Sequence, residues 1–243
     1  MTRSVRRKIV YEPVGDTEIG GTRGTPMNVD LRGSAGLIEA VVDLPRGSSR
    51  PLREAAAVAI VCHPHPLFGG TLQNKVTYRI ARGLTRAGFA TLRFNFRGVG
   101  RSAGEHDEGR GEADDVRTAM TFMLAEVPGA PLLLAGYSFG AHVASRVAVE
   151  DPRALGLLLA GPALRVSSFD HLLACAKPKW LLAAERDPFG EAPLVEQLVA
   201  RMTPPVELTL FPGEEHAFSG SLPGVERRAE EVGRAFVAAH GPS

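Results

Sequence analysis

From Val58 onward, short apolar runs alternate with segments of helical spacing, and this alternation constrains the fold more than any other feature. Residues 58–62 form an unbroken apolar run, as expected of a strand buried on both faces. Residues 72–86 then place Val76, Ile80, Ala81 and Leu84 on one helical side. Residues 89–95 read as a strand, and 112–126 as a helix with Val116, Ala119, Met120 and Met123 facing the core. Strands at 132–135 and 155–160 bracket a helix at 138–150. A strand at 180–184, a helix at 193–202, a strand at 206–211 and a helix at 225–239 close the chain. Such alternation builds an α/β fold, a mostly parallel sheet with helices on both faces.

Ahead of this region, residues 27–32 and 36–45 read as an antiparallel hairpin turning at Gly33-Ser34-Ala35. Residues 1–25 are rich in Gly, Pro and Arg, and a loosely structured segment is expected there. With no repeat or linker, residues 1–243 are expected to form a single domain.

The formal net charge of +1 argues against a nucleic-acid binder driven by a broad basic field. Cys62 and Cys175 lie far apart in apolar surroundings, without zinc-type spacing, and read as reduced core thiols. No apolar stretch approaches the ~20 residues that span a bilayer. The basic N-terminus is followed by no apolar signal core, so a cytoplasmic protein with no membrane span is expected.

In open parallel sheets, ligands gather beyond the carboxyl ends of the strands. The strand at 132–135 runs into Gly136-Tyr137-Ser138-Phe139-Gly140. A sharp strand-to-helix turn needs small residues on both sides of the serine, and it exposes the hydroxyl at a helix N-terminus. The alternative is an ordinary helix-capping serine. A nucleophilic serine needs a base. Asp187 follows the strand at 180–184, and His216 follows the strand at 206–211. Ser138, Asp187 and His216 thus stand in a workable order as nucleophile, orienting acid and general base. Glu185 is the alternative acid, and Asp187 is a turn residue if that alternative holds. The other six histidines lie outside this order.

Acyl transfer also needs N–H groups for the oxyanion. Phe139, directly after the serine, is one expected donor. The second is expected from His63-Pro64-His65-Pro66-Leu67-Phe68-Gly69-Gly70, after the strand at 58–62. Prolines have no N–H, which leaves His65 or Leu67. The His63-x-His65 pair is open to a rival reading as the start of a metal site. The next strand ends offer no convincing further ligand, so no metal is expected.

The stretches 63–76, 92–104 and Gly136–Gly140, taken together, resemble the α/β-hydrolase superfamily over nearly the whole chain. The chain looks most like compact, cap-less bacterial serine hydrolases that share features with dienelactone hydrolases. The resemblance implies a three-layer fold with an eight-stranded, mostly parallel sheet, and Ser138, Asp187 and His216 as the triad. It implies that Arg97-Gly98-Val99-Gly100-Arg101-Ser102 shapes the floor of the site. Dienelactone hydrolases proper use cysteine where this chain has Ser138. Residues 161–179 are too few for the helical cap of larger relatives, so an open cleft is expected, partly walled by residues 164–173 and the loop at Phe189, with His63, Phe68, Tyr137 and Phe189 as cleft residues.

The expected function is hydrolysis of a carboxylic ester or thioester with a small to medium acyl group, without a cofactor. A peptidase or acyltransferase on the same machinery, a metal-dependent hydrolase and a fold that only binds are the competing readings. Nothing in the sequence bears on the oligomeric state.

Overall fold

Residue parity along the central strands decides which of two cores each side chain joins, because successive strand residues point to opposite faces. The computed structural model describes residues 6–9, 26–45 and 52–241. The strands are β1 (Arg6–Ile9), β2 (Met27–Gly33), β3 (Gly36–Asp43), β4 (Ala57–Cys62), β5 (Phe89–Phe94), β6 (Leu132–Tyr137), β7 (Ala154–Ala160), β8 (Lys179–Ala184) and β9 (Val206–Phe211). The helices are α1 (Lys75–Arg86), α2 (Arg110–Glu126), α3 (Phe139–Glu150), α4 (Ala192–Arg201) and α5 (Leu222–His240). Ala57, Ala59 and Val61 of β4, with Leu133 and Ala135 of β6, pack under α1 and α5. Val58, Ile60 and Cys62, with Leu132 and Leu134, pack under α2, α3 and α4. Both faces are dry, which is why these strands read as unbroken apolar runs.

The sheet order is β1-β9-β8-β7-β6-β4-β5-β3-β2. β3 runs antiparallel to β2 and to β5, and the other pairings are parallel. All eight expected strands are present. β1 is a ninth, at residues 6–9, where loose structure was expected, and it pairs in parallel with β9. An edge strand needs only backbone partners, so its sequence carries little signal. Residues 1–5 and 10–25 lie outside the described residues.

Caps move the helix ends away from the apolar periodicity. The Asn74 side chain accepts from the N–H groups of Val76 and Thr77 at 3.0 and 3.2 Å, so α1 starts at Lys75 rather than 72. Between β7 and β8 lie only residues 161–178, with one 3-10 turn at Asp170–Leu172. The domain is therefore lidless. Among the described residues no helix is long and apolar enough to cross a membrane.

The loop after β5 is locked to the hairpin. Arg97 holds the buried Asp115 of α2 through Nε at 3.1 Å and Nη2 at 2.8 Å. Ser102 Oγ donates to the Asn95 carbonyl at 2.7 Å and accepts from the Glu39 N–H at 3.0 Å. This loop braces the rim on which the candidate site stands.

Candidate active site

The turn from β6 into α3 forces Ser138 into a left-handed conformation, φ 56° and ψ −117°, which L-residues rarely adopt. Its N–H donates to the Ala160 carbonyl of β7 at 2.9 Å, which pins the bend. The flanking glycines are steric requirements. A Cβ at Gly136 would collide with the Gly140 carbonyl, and a Cβ at Gly140 with the carbonyls of Cys62 and His63. The Ser138 side chain does not cap α3. Its hydroxyl instead lies 2.9 Å from His216 Nε2, and it donates there.

His216 is held from its other nitrogen. Nδ1–H donates to Asp187 Oδ2 at 2.6 Å. Asp187 is fully buried, and its second oxygen accepts the Phe189 N–H at 2.9 Å. Glu185, the alternative acid, is exposed and accepts the Gly213 N–H at 2.7 Å. Asp187 and not Glu185 therefore meets the imidazole. The ring sits between Tyr137 and Phe189, with centroids 5.1 and 4.8 Å away. Phe189 is 44% exposed.

Tyr137 does not line the cleft. It is buried, and its hydroxyl donates to the His216 carbonyl at 2.9 Å. Burial, with the charge of Asp187, pushes its phenol well above the usual range, so it stays a donor. The apolar position before Ser138 was legible in sequence, but no spacing links it to a carbonyl so far along the chain.

His63 is likewise a supporting residue rather than a wall of the cleft. It is fully buried beneath the loop that follows β4. Nε2 accepts the Phe96 N–H at 3.0 Å and Nδ1 donates to the Pro64 carbonyl at 2.6 Å. Burial pulls its pKa down to about 4, so the ring is neutral. With both nitrogens engaged by backbone, it has no lone pair for a metal. Among the described residues no group of three or more His, Cys, Asp or Glu is arranged to hold one.

The two candidate oxyanion donors of this loop also separate. His65 Nδ1 accepts the Leu67 N–H at 3.2 Å, so that donor is spent. The His65 N–H makes no hydrogen bond among the described residues. Phe139 opens α3, and N–H groups of a first helical turn have no intrahelical partner. Phe68, 85% exposed, and Leu67 project from the 3-10 turn that follows. Val166, after β7, is also exposed. The Phe68 ring packs on His65 and the Phe189 ring on His216, so two exposed aromatic side chains stand against residues of the site.

Residues 57–183 match the family model described as serine aminopeptidase, S33. The uncharacterized protein RP471 of Rickettsia prowazekii is 33% identical over 172 residues, 67% of this chain and 72% of that protein. An α/β serine hydrolase homologue from Coxiella burnetii superposes with a TM-score of 0.78 at 31% identity, covering 85% of this chain and 96% of that one. XC6422 from Xanthomonas campestris, described as an α/β serine hydrolase without lid, gives 0.79 at 31% identity, covering 96% and 99%. The matched segment exceeds half the chain and runs from the first buried strand through the serine turn to the strand before Asp187. The chain therefore belongs to the α/β serine hydrolase family that this model describes.

Proposed function

We propose that this protein hydrolyses a carboxylic ester or thioester through an acyl-enzyme on Ser138. His216 Nε2 takes the hydroxyl proton as Oγ attacks the acyl carbon, and the carbonyl π pair moves onto oxygen. The N–H groups of Phe139 and His65 receive that oxyanion. His216 returns the proton to the leaving oxygen or sulfur as the tetrahedral adduct collapses. Water then repeats the steps against the acyl-enzyme and releases the acid. Asp187 keeps Nδ1 protonated and stabilises the imidazolium. The observation that carries this reading is the unbroken hydrogen-bond chain from Ser138 Oγ through His216 to Asp187, at 2.9 and 2.6 Å.

The exposed rings of Phe68, against His65, and of Phe189, against His216, favour an apolar acyl group, because exposed apolar side chains beside a site mark binding surfaces. A peptidase on the same triad is the second reading, favoured by the description of the matching family model. It differs in cleaving peptide amides, whose amine leaving group must be protonated by His216 as it departs.

The test is hydrolysis of p-nitrophenyl butyrate by wild type and Ser138→Ala, with a fluorophosphonate label as control. Turnover in the variant is expected to fall by roughly 10⁴-fold or more. The label is expected on Ser138. A wild-type rate in the variant, or labelling elsewhere, overturns the assignment.

A further inference from the structure

A second set of side chains meets at the same rim. The rings of His65, His106 and Phe139 form a triangle. His65 and His106 have centroids 4.8 Å apart, His65 and Phe139 4.9 Å, and His106 and Phe139 5.4 Å. Two of these corners carry the N–H groups assigned to the oxyanion. They belong to separate segments, the loop after β4 and the first residue of α3. Among the described residues no hydrogen bond joins one to the other.

The third corner, His106, comes from the loop between β5 and α2, and that loop is closed from behind. Glu112, in the first turn of α2, is fully buried. Its Oε1 accepts the Asp107 N–H at 3.0 Å, and its Oε2 accepts the Gly109 N–H at 2.8 Å. The same carboxylate lies 2.7 Å from His106 Nδ1, outside hydrogen-bond geometry. A buried carboxylate is costly to place unless its oxygens are engaged. Here they close the loop that carries His106, and its imidazole packs against the other two rings.

We infer that His106 is a positioning residue for the oxyanion hole: its ring, packed against those of His65 and Phe139 from the loop that Glu112 closes, sets the separation between the His65 and Phe139 N–H groups. It touches no reacting atom. Oxyanion donors work only within hydrogen-bond reach of the transition-state oxygen, and a shift of ~1 Å costs up to ~10²-fold in rate. This inference rests on the serine hydrolase reading above.

The test compares wild type, His106→Ala and His106→Phe on p-nitrophenyl butyrate, with a trifluoromethyl ketone as transition-state analogue. For His106→Ala, kcat is expected to fall about 10- to 100-fold. KM is expected to stay within about twofold, since ground-state binding of the ester does not use the hole. Affinity for the ketone, whose serine adduct carries an oxyanion, is expected to fall in parallel with kcat. His106→Phe keeps a ring and is expected to recover most of the loss. If His106→Ala does not fold, His106→Leu fills the space without a ring and carries the same expectation. A kcat within about twofold of wild type, or a loss of kcat with ketone affinity unchanged, overturns the inference. Fluorophosphonate labelling separates the two levels. A wild-type protein that does not label at Ser138 defeats the hydrolase reading itself, whereas full labelling with an unaltered His106→Ala rate defeats only the positioning role.

Discussion

The Tyr137 hydroxyl donates to the His216 carbonyl at 2.9 Å across 79 residues of sequence. The residue directly before the proposed nucleophile therefore holds the loop that carries the proposed base, and its ring packs against the imidazole. Serine and histidine are aligned by one side chain.

Tyr137→Phe keeps the ring and deletes this bond. We expect a loss of about 1 kcal/mol in unfolding free energy, the usual net value of one such bond. We also expect kcat to fall about tenfold with KM unchanged, as a small misplacement of the base would produce. Urea denaturation and steady-state kinetics on one ester check both. An unaltered kcat would mean that the imidazole is aligned without the tyrosine.

Asp187 and Glu185 carry opposite expectations. Asp187→Asn removes the acceptor that fixes the tautomer of His216, and kcat is expected to drop by roughly 10⁴-fold. Glu185→Gln changes an exposed residue bonded to Gly213, and its kcat is expected within about twofold of wild type. The reverse pattern would make Glu185 the orienting acid.

Phe68 stands 85% exposed beside the site, where an acyl chain can cover it. Phe68→Ser is expected to raise KM about tenfold for octanoyl p-nitrophenyl esters, equivalent to about 1.4 kcal/mol of lost apolar contact. Acetyl esters, too short to reach the ring, are expected to be unaffected. Equal effects on both chain lengths would remove Phe68 from the acyl-binding wall.

Buried neutral histidines tie stability to pH. Burial pulls His63 and His142 from the ordinary 6.5 down to about 4. Between these values the unfolded chain binds a proton that the folded chain refuses, so stability falls as pH drops from about 6.5 toward 4. The loss is about 1.4 kcal/mol per pH unit for each fully shifted histidine, as an upper bound. His142 Nδ1 is buried without a hydrogen-bond partner, so His142→Leu is expected to flatten the slope by removing one of the two contributions. Chemical denaturation at pH 7 and pH 5 measures it. A variant with the same slope as wild type would show that His142 titrates normally.

The sheet was legible because its central strands are dry on both faces and so read as unbroken apolar runs, while the helices carry the 3.6-residue period. β1 was not legible, since four residues pairing through backbone at an open edge need no pattern of their own. The start of α1 was misjudged because periodicity marks the buried face, whereas the Asn74 cap marks where the backbone begins to coil.

At the site, the sequence by itself determined the bend around Ser138 and the strand ends that bear Asp187 and His216. These are local matters: two glycines that tolerate no Cβ, and apolar runs that stop. Tertiary structure alone decided the rest. It set Asp187, the acid preferred in the sequence, against the imidazole and left Glu185 exposed at Gly213. It turned His63 and Tyr137 inward, away from the cleft expected for them, to bond the backbone at Phe96 and His216. Each of those partners lies tens of residues away along the chain. Which of them meet is set by the order of strands in the sheet, a property of long-range pairing that no local pattern encodes.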